Sequence, residues 1–387
     1  MVLNRSCAAL AFTSIILLGF AGLSTSQAGP QAGAYIVDSD ADAPDGNPGD
    51  GICDTAGWLQ DCTLHAAIQE ANLDGVPSLI TFASPLKIQY ASLPTITERD
   101  TTIDASYQWD GVWPQGRPGV QITPGSSGTG TLVIWADATI IRGVEFLSCG
   151  PNVDTGVHIR GGSSSRIGGT GTGQRNVFSC GTGVHVQTDG SNSLIIGNYF
   201  GTWDGENTFS SDVGVEVEWG VTTIEENLFG GHQTAGVLIW RGLGNNLIRN
   251  NIVGANKSKN AVLPNAVGIS ISHSDTNTVQ GNFIAGNTSH GLVITRADDN
   301  LIAMNVIGHS FSKMGNGGDG LQVLLSKRNQ ITQNQIGANS GNGLWFDGSD
   351  DNLVQSNYVS ENGWDGVYLH NSKQNLVGAP DSNRNHR

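Results

Sequence analysis

Along the chain a glycine repeatedly opens a short run of alternating apolar and polar residues: Gly183-Val-His-Val, Gly214-Val-Glu-Val, Gly236-Val-Leu-Ile and Gly268-Ile-Ser-Ile. The series continues through Gly291-Leu-Val-Ile, Gly320-Leu-Gln-Val, Gly343-Leu-Trp-Phe and Gly366-Val-Tyr-Leu. About ten residues after each run comes a second element, Asn-Φ-Φ-x-x-Asn-x-Φ-Gly, as in Asn246–Gly254, Asn300–Gly308 and Asn329–Gly337. Period-two alternation predicts strands with one face buried. No unit carries an apolar stripe at helical spacing, so helical repeats are excluded. A unit of 22 to 32 residues holding three short strands predicts an all-β parallel β-helix, right-handed, with Gly and Asn at its three corners. Those two residues tolerate left-handed backbone, and stacked Asn side chains can form amide ladders.

Spacing between successive opening glycines from Gly183 to Gly343 runs 31, 22, 32, 23, 29, 23. The additions fall at one corner, in Thr202–Val213, Ala255–Val267 and His309–Asp319. They predict a ridge along one flank that walls a groove, although duplication of a two-coil unit explains the alternation equally well.

Upstream of the repeats, Asp61-Cys-Thr-Leu-His-Ala-Ala-Ile-Gln-Glu-Ala-Asn72 reads as an amphipathic helix with Leu64, Ala67, Ile68 and Ala71 on one face and Thr63 or Asp61 near its start. The segment resembles the CSLREA-domain module of secreted bacterial β-helix proteins with a pectin lyase-like fold. His65 and Ala66 stand where that module has Arg-Glu, while Cys62, Leu64, Ala67, Ile68, Ala71 and Asn72 fit. Ile167–Phe178 and Asn198–Thr202 also resemble coils of such proteins. The resemblance implies a β-helix and secretion, and carries no common chemistry.

Arg5, the apolar stretch Cys7–Leu23 and Ser26-Gln27-Ala28 read as an export signal over residues 1–28, with an uncleaved anchor as the alternative. A cap over 29–78, a β-helix over 79–378 and an incomplete final coil or tail over 379–387 follow. No later segment is apolar enough to span a bilayer. Removal of Cys7 leaves four cysteines in an oxidising compartment. Cys53 and Cys62 lie nine residues apart in the cap motif and are expected to pair. Phe146-Leu-Ser-Cys149 aligns without a gap on Val177-Phe-Ser-Cys180, which puts Cys149 and Cys180 at one corner of successive coils, within disulfide reach.

The chain holds 34 acidic and 19 basic side chains, a net charge of −15. That balance excludes nucleic acid as a partner and requires a local basic patch or a cation wherever an anionic polysaccharide binds. Asp38, Asp40, Asp42 and Asp45 resemble half a calcium loop, but position twelve is Gly49 rather than a bidentate Glu. An acidic turn is the simpler reading. Zinc-type His/Cys spacing and phosphate-cradling Gly-Lys-Ser/Thr are absent, so no metal is expected elsewhere. The Arg-x-Pro-x-x-Arg of pectate lyases, the Gly-His-Gly of polygalacturonases and the Asp-Pro-His of alginate epimerases are missing as well.

What remains is the outward face of the Gly-opened strands. Alternation lines up His158, His185, Glu216, Leu238, Ser270, Val293, Gln322, Trp345 and Tyr368 in one column. Beside it run Arg160, Gln187, Glu218, Trp240, Ser272, Thr295, Leu324, Asp347 and His370. Glu216 and Glu218 would sit about 7 Å apart, near the separation used by inverting glycosidases, with Trp240 and Arg241 on the next coil. Trp345, Asp347, Tyr368 and His370 form a second candidate group, for stacking on sugar rings. The bland alternatives are a solvated strand face and an aromatic seal on the last coil. Two functions follow: an extracellular protein that binds polysaccharide or cell-surface glycan, with cleavage as a candidate activity, or a non-enzymatic structural or adhesive surface protein.

Overall fold

The computed structural model describes residues 33–56, 61–109, 117–124, 131–149, 155–187 and 192–378. The expected export signal at 1–28 and the expected final coil or tail at 379–387 lie outside the described residues. Each coil lays one strand in each of three parallel sheets. In one coil these are Leu247–Arg249 in the first sheet, Ile252–Val253 in the second and Val267–Ser272 in the third. Among the described residues the sheets hold 13, 11 and 10 strands.

Inward Val, Ile and Leu from the three sheets meet in one core; Val237, Ile248, Ile271 and Ile294 have no exposure. Phe146, Phe178, Phe200 and Phe229 stack inside with centroid spacings of 4.9, 4.8 and 4.8 Å. That spacing is the strand-to-strand repeat, so each ring rests on the equivalent ring of the next coil.

Asparagine ladders run along all three corners. Between the first and second sheets Asn282 Nδ2 donates to Asn305 Oδ1 at 3.0 Å, and Asn305 Nδ2 to Asn334 Oδ1 at 3.0 Å. Asn246 to Asn277 and Asn287 to Asn316, each at 2.9 Å, belong to the other two ladders. The left-handed position at the first corner is the residue before the ladder Asn. It is Asn250 (φ 57°) or Gly281 (φ 66°), but also Met304 (φ 56°), Gln333 (φ 58°) and Ser356 (φ 56°). The expectation that Gly or Asn occupies the strained position is thus corrected. Hydrogen bonds of the adjoining Asn hold the turn and offset the roughly 1–2 kcal/mol that a side chain costs there.

The helix Leu64–Ala71 covers the N-terminal end, with Leu64, Ala67, Ile68 and Ala71 buried. Thr63 is its N-cap: Oγ1 accepts from Ala66 N at 3.1 Å. Buried Glu70 accepts from Gly49 N and Gly51 N, which ties the acidic turn to the helix. Cys53 and Cys62 are disulfide-bonded, with Cα atoms 5.1 Å apart. The strand Gly33–Val37 pairs with Ser78–Phe82, so the first sheet starts within the cap.

In the second sheet Phe146 lies opposite Phe178, not Val177 as the gapless alignment required. The register shifts by one residue between Ser179 and Cys180, which brings Cys149 opposite Cys180. Stacking of the two rings sets the register, and an irregularity after it restores the cysteine pairing. Cys180 is disulfide-bonded; the Cys149 side chain lies outside the described residues.

Candidate functional site

The third sheet carries both outward columns in the expected register. His158 pairs with His185, His185 with Glu216, and Glu216 with Leu238. Gln187 pairs with Glu218, and Glu218 with Trp240. Further along, Trp345 pairs with Tyr368 and Asp347 with His370. Five coil steps separate Glu216 from Trp345, about 24 Å at the strand spacing. The two candidate groups are therefore separate sites on one face.

The upper group is a hydrogen-bonded network. Arg160 Nε donates to His158 Nδ1 at 3.3 Å, and His158 Nε2 lies 3.1 Å from Gln187 Oε1. Gln187 Nε2 donates to Glu218 Oε2 at 3.3 Å, and Trp219 Nε1 to Glu218 Oε1 at 3.2 Å. Since Nδ1 of His158 is an acceptor, its proton sits on Nε2. Every donor in the chain then points toward Glu218. His185 Nε2 stands 3.7 Å from Glu218 Oε2, beyond hydrogen-bond range.

Electrostatics divide the members. Burial pushes the His158 imidazole down to about 4, with smaller contributions from His185 and Arg160. Burial also lowers His185, partly opposed by Glu218. Glu216 moves the other way: burial raises its carboxyl, and the neighbouring Glu218 and Asp212 add to this. His158, Arg160, His185, Gln187 and Trp219 were not singled out from sequence. The signal was available, since four of them precede the glutamates in the same two columns.

Arg241 holds its guanidinium 4.4 Å from the centre of the Trp240 ring. One face of Trp240 is thus taken by a cation. In the lower group, His370 Nδ1 and Asp347 Oδ1 are 2.8 Å apart, and the Tyr368 and His370 rings lie 6.4 Å apart and nearly parallel. Trp345 is half-buried, with its indole N–H unpartnered among the described residues.

Three of the four cap aspartates are each engaged by separate backbone segments. Asp38 accepts from Cys62 N, Asp42 from Ala91 N while also pairing with His65, and Asp45 from Asn47 N and Asp54 N. Among the described residues no three His, Cys, Asp or Glu side chains converge as a metal site. The long loops do form a ridge: each closes with an antiparallel bridge, Thr202 to Thr208, Ala255 to Val262 and His309 to Met314. Lys257 N donates to Gly205 O at 3.0 Å, joining the first two loops. Lys257 borders a cleft on the second sheet, whose lining includes neither Glu216 nor Glu218. A cavity of about 350 Å³ does adjoin the network, between Ser92, Leu93, Val133, His158 and Arg160.

Residues 267–385 match the family model for a right handed beta helix region, and residues 202–312 match that for the periplasmic copper-binding protein NosD. No curated protein sequence matches the chain. Among solved structures, the DFA-IIIase from Arthrobacter chlorophenolicus A6 without its lid is similar with a TM-score of 0.56 at 15% identity, over 91% of this chain and 95% of that one. The periplasmic alginate epimerase AlgG is similar with a TM-score of 0.51 at 13% identity, over 79% and 77%. At such identities the likeness shows the fold: a right-handed parallel β-helix.

Proposed function

We propose that the chain is an exported polysaccharide-binding β-helix that hydrolyses its ligand at Glu216 and Glu218. The contrast between these two carboxyls on one strand carries the reading. Glu216 is raised by burial and by Glu218 itself, as suits a proton donor. Glu218 uses both oxygens as acceptors, as suits an oriented base. Two residues along a strand set the Cα atoms about 6.6–6.8 Å apart, a spacing that lets the carboxyls take the separation used by inverting glycosidases, about 6.5–9.5 Å. In such a step Glu216 gives its proton to the glycosidic oxygen as the bond from that oxygen to the anomeric carbon breaks. Water attacks that carbon from the opposite face and passes a proton to Glu218. Trp240, Arg241 and the lower group Trp345, Asp347, Tyr368 and His370 supply contacts to the glycan along the same face. The Cys53–Cys62 bond fits an oxidising compartment, and no helix among the described residues is long and apolar enough to cross a membrane.

The test is release of reducing ends from a panel of soluble polysaccharides by the wild type, Glu216→Gln and Glu218→Gln. At least one polysaccharide should be cleaved, with loss of about 10²-fold or more in each variant while retention on the immobilised polysaccharide persists. Retention by the wild type without cleavage would leave a non-enzymatic surface protein. That second reading is favoured by the missing signatures of known β-helix enzymes.

A further inference from the structure

A second cleft, of about 520 Å³, opens on the outer face of the second sheet, away from the columns of the third. One wall is the glycine-rich loop from Gly169 to Gly173 with Arg175, the floor includes Tyr199, and the far side is Lys257 from the ridge. Both walls are fixed by backbone. At Gly197 (φ +70°) an added Cβ would stand 2.3 Å from Gly169 O, so the loop rests directly on the next coil. Gln174 Oε1 accepts from Gly171 N at 3.2 Å and closes the loop. On the other side, Lys257 Nζ donates to Asp204 O at 3.0 Å.

Two cations thus reach the cleft from opposite walls. The guanidinium of Arg175 lies over the Tyr199 ring, 3.8 Å from its centre. A stacked guanidinium keeps its donors in the plane of the fork, the geometry that pairs with a carboxylate. Lys257 is half-exposed, and Glu206 stands 3.7 Å from its ammonium. Among the residues lining the cleft the single carboxylate is Glu226. With Glu206 beside Lys257 and Glu226 in the lining, the two cations are balanced by two carboxylates, which makes the cleft a neutral patch in a chain with 34 acidic against 19 basic side chains. The rest of the lining is neutral and mixes polar groups, Thr170, Thr172, Asn227, Asn250 and glycine backbone, with Leu228 and Ile252. That surface suits hydroxyl groups, and the volume exceeds what a bare ion needs.

We infer that this cleft binds a carboxylated sugar, a uronate residue of an oligosaccharide. Arg175 and Lys257 meet the carboxylate, and the threonine hydroxyls and loop backbone meet the ring hydroxyls. Tyr199 acts as the support for Arg175, because its face is covered. The inference is independent of the chemistry proposed at Glu216 and Glu218.

Calorimetric titration of the full chain at low salt with trimers of galacturonate, mannuronate and glucuronate provides the test, with maltotriose and sodium sulfate as controls. At least one uronate trimer should bind, weaken as salt is raised, and lose about tenfold in affinity, a factor worth about 1.4 kcal/mol, in Lys257→Met and in Arg175→Met. Thr172→Trp, which narrows the cleft and leaves Arg175 and Lys257 unsubstituted, should weaken it as much; with Lys257→Met it carries the test if Arg175→Met fails to fold. Absence of binding by every uronate trimer would overturn the inference. So would equal binding of maltotriose, equal binding of sulfate, or an affinity that follows Glu216→Gln and Glu218→Gln instead of the cleft variants.

Discussion

His158 lies flat against His185, with ring centroids 4.6 Å apart and planes 13° from parallel. The contact follows from strand register, since the two residues are Cα partners in adjacent coils. Burial lowers both imidazoles, and His185 adds to the shift of His158. Both are therefore neutral at neutral pH, and His158 serves as a hydrogen-bonding member of the network.

His158 contributes to the pH dependence of stability, beside the other burial-lowered histidines His185, His232 and His290. Its folded value of about 4 lies below the unfolded value of about 6.5, so the unfolded chain binds more protons between the two. Stability is then present above about pH 6.5 and lost as pH falls through about 4. One buried imidazole so shifted accounts for about 3 kcal/mol, at about 1.4 kcal/mol per pH unit. Urea unfolding from pH 7 to 4 should show the loss, and His158→Gln should flatten the curve over that range. An unchanged slope in the variant would refute the assignment.

Glu216 has the opposite sign. Its folded value is raised above the unfolded one, so the protonated form is favoured and stability falls as pH rises through the folded value. Glu216→Gln removes that loss. The variant should melt above the wild type at neutral pH, and the difference should shrink to nothing below the ordinary glutamate range. Thermal melts at pH 7.5 and about pH 3.5 decide the point.

The ladder at the first corner predicts a large cost for a small truncation. Asn305 accepts from Asn282 N and Nδ2 and donates to Val279 O and Asn334 Oδ1. Asn305→Ala leaves these buried groups unpaired at about 1–3 kcal/mol each where no relaxation occurs. A net loss of about 3 kcal/mol or more is expected in denaturant titration, against little change for Gln333→Ala at the neighbouring turn.

Inward register is tested at Ile271, which is fully buried between Ile239 and Ile294 in the same column. Ile271→Asp places a charge without a partner in the core and should cost several kcal/mol. Loss of cooperative melting in the far-ultraviolet spectrum is the expected readout.

Glycan contacts on the third sheet are tested by retention on immobilised polysaccharide. Tyr368→Ala should weaken retention more than Trp240→Ala, because the Trp240 ring is already covered on one face by Arg241. Equal retention by both variants and the wild type would remove the aromatic contribution.

The sequence by itself determined the coil, the inward residues and the order of both outward columns. These depend on period-two alternation and on stacking of like residues at a fixed repeat, which are read along the chain. Glu216 opposite His185 and Trp345 opposite Tyr368 were legible for that reason. Tertiary structure decided what depends on lateral fit. Stacking of Phe146 on Phe178 displaced the gapless register of the second cysteine pair, although each segment taken alone aligned without a break. Met304, Gln333 and Ser356 occupy left-handed turns because their Asn neighbours are bonded across coils, a stabilisation that local propensity does not contain. The direction of the chain from Arg160 through His158 and Gln187 to Glu218 rests on side-chain conformations, which spacing leaves open. The ridge was visible as inserted length, but the lean of its loops was not. Gly205 lies close to both Tyr199 and Lys257, where an added Cβ would stand 3.2 Å from each, and this brings the first two loops together beside the second cleft.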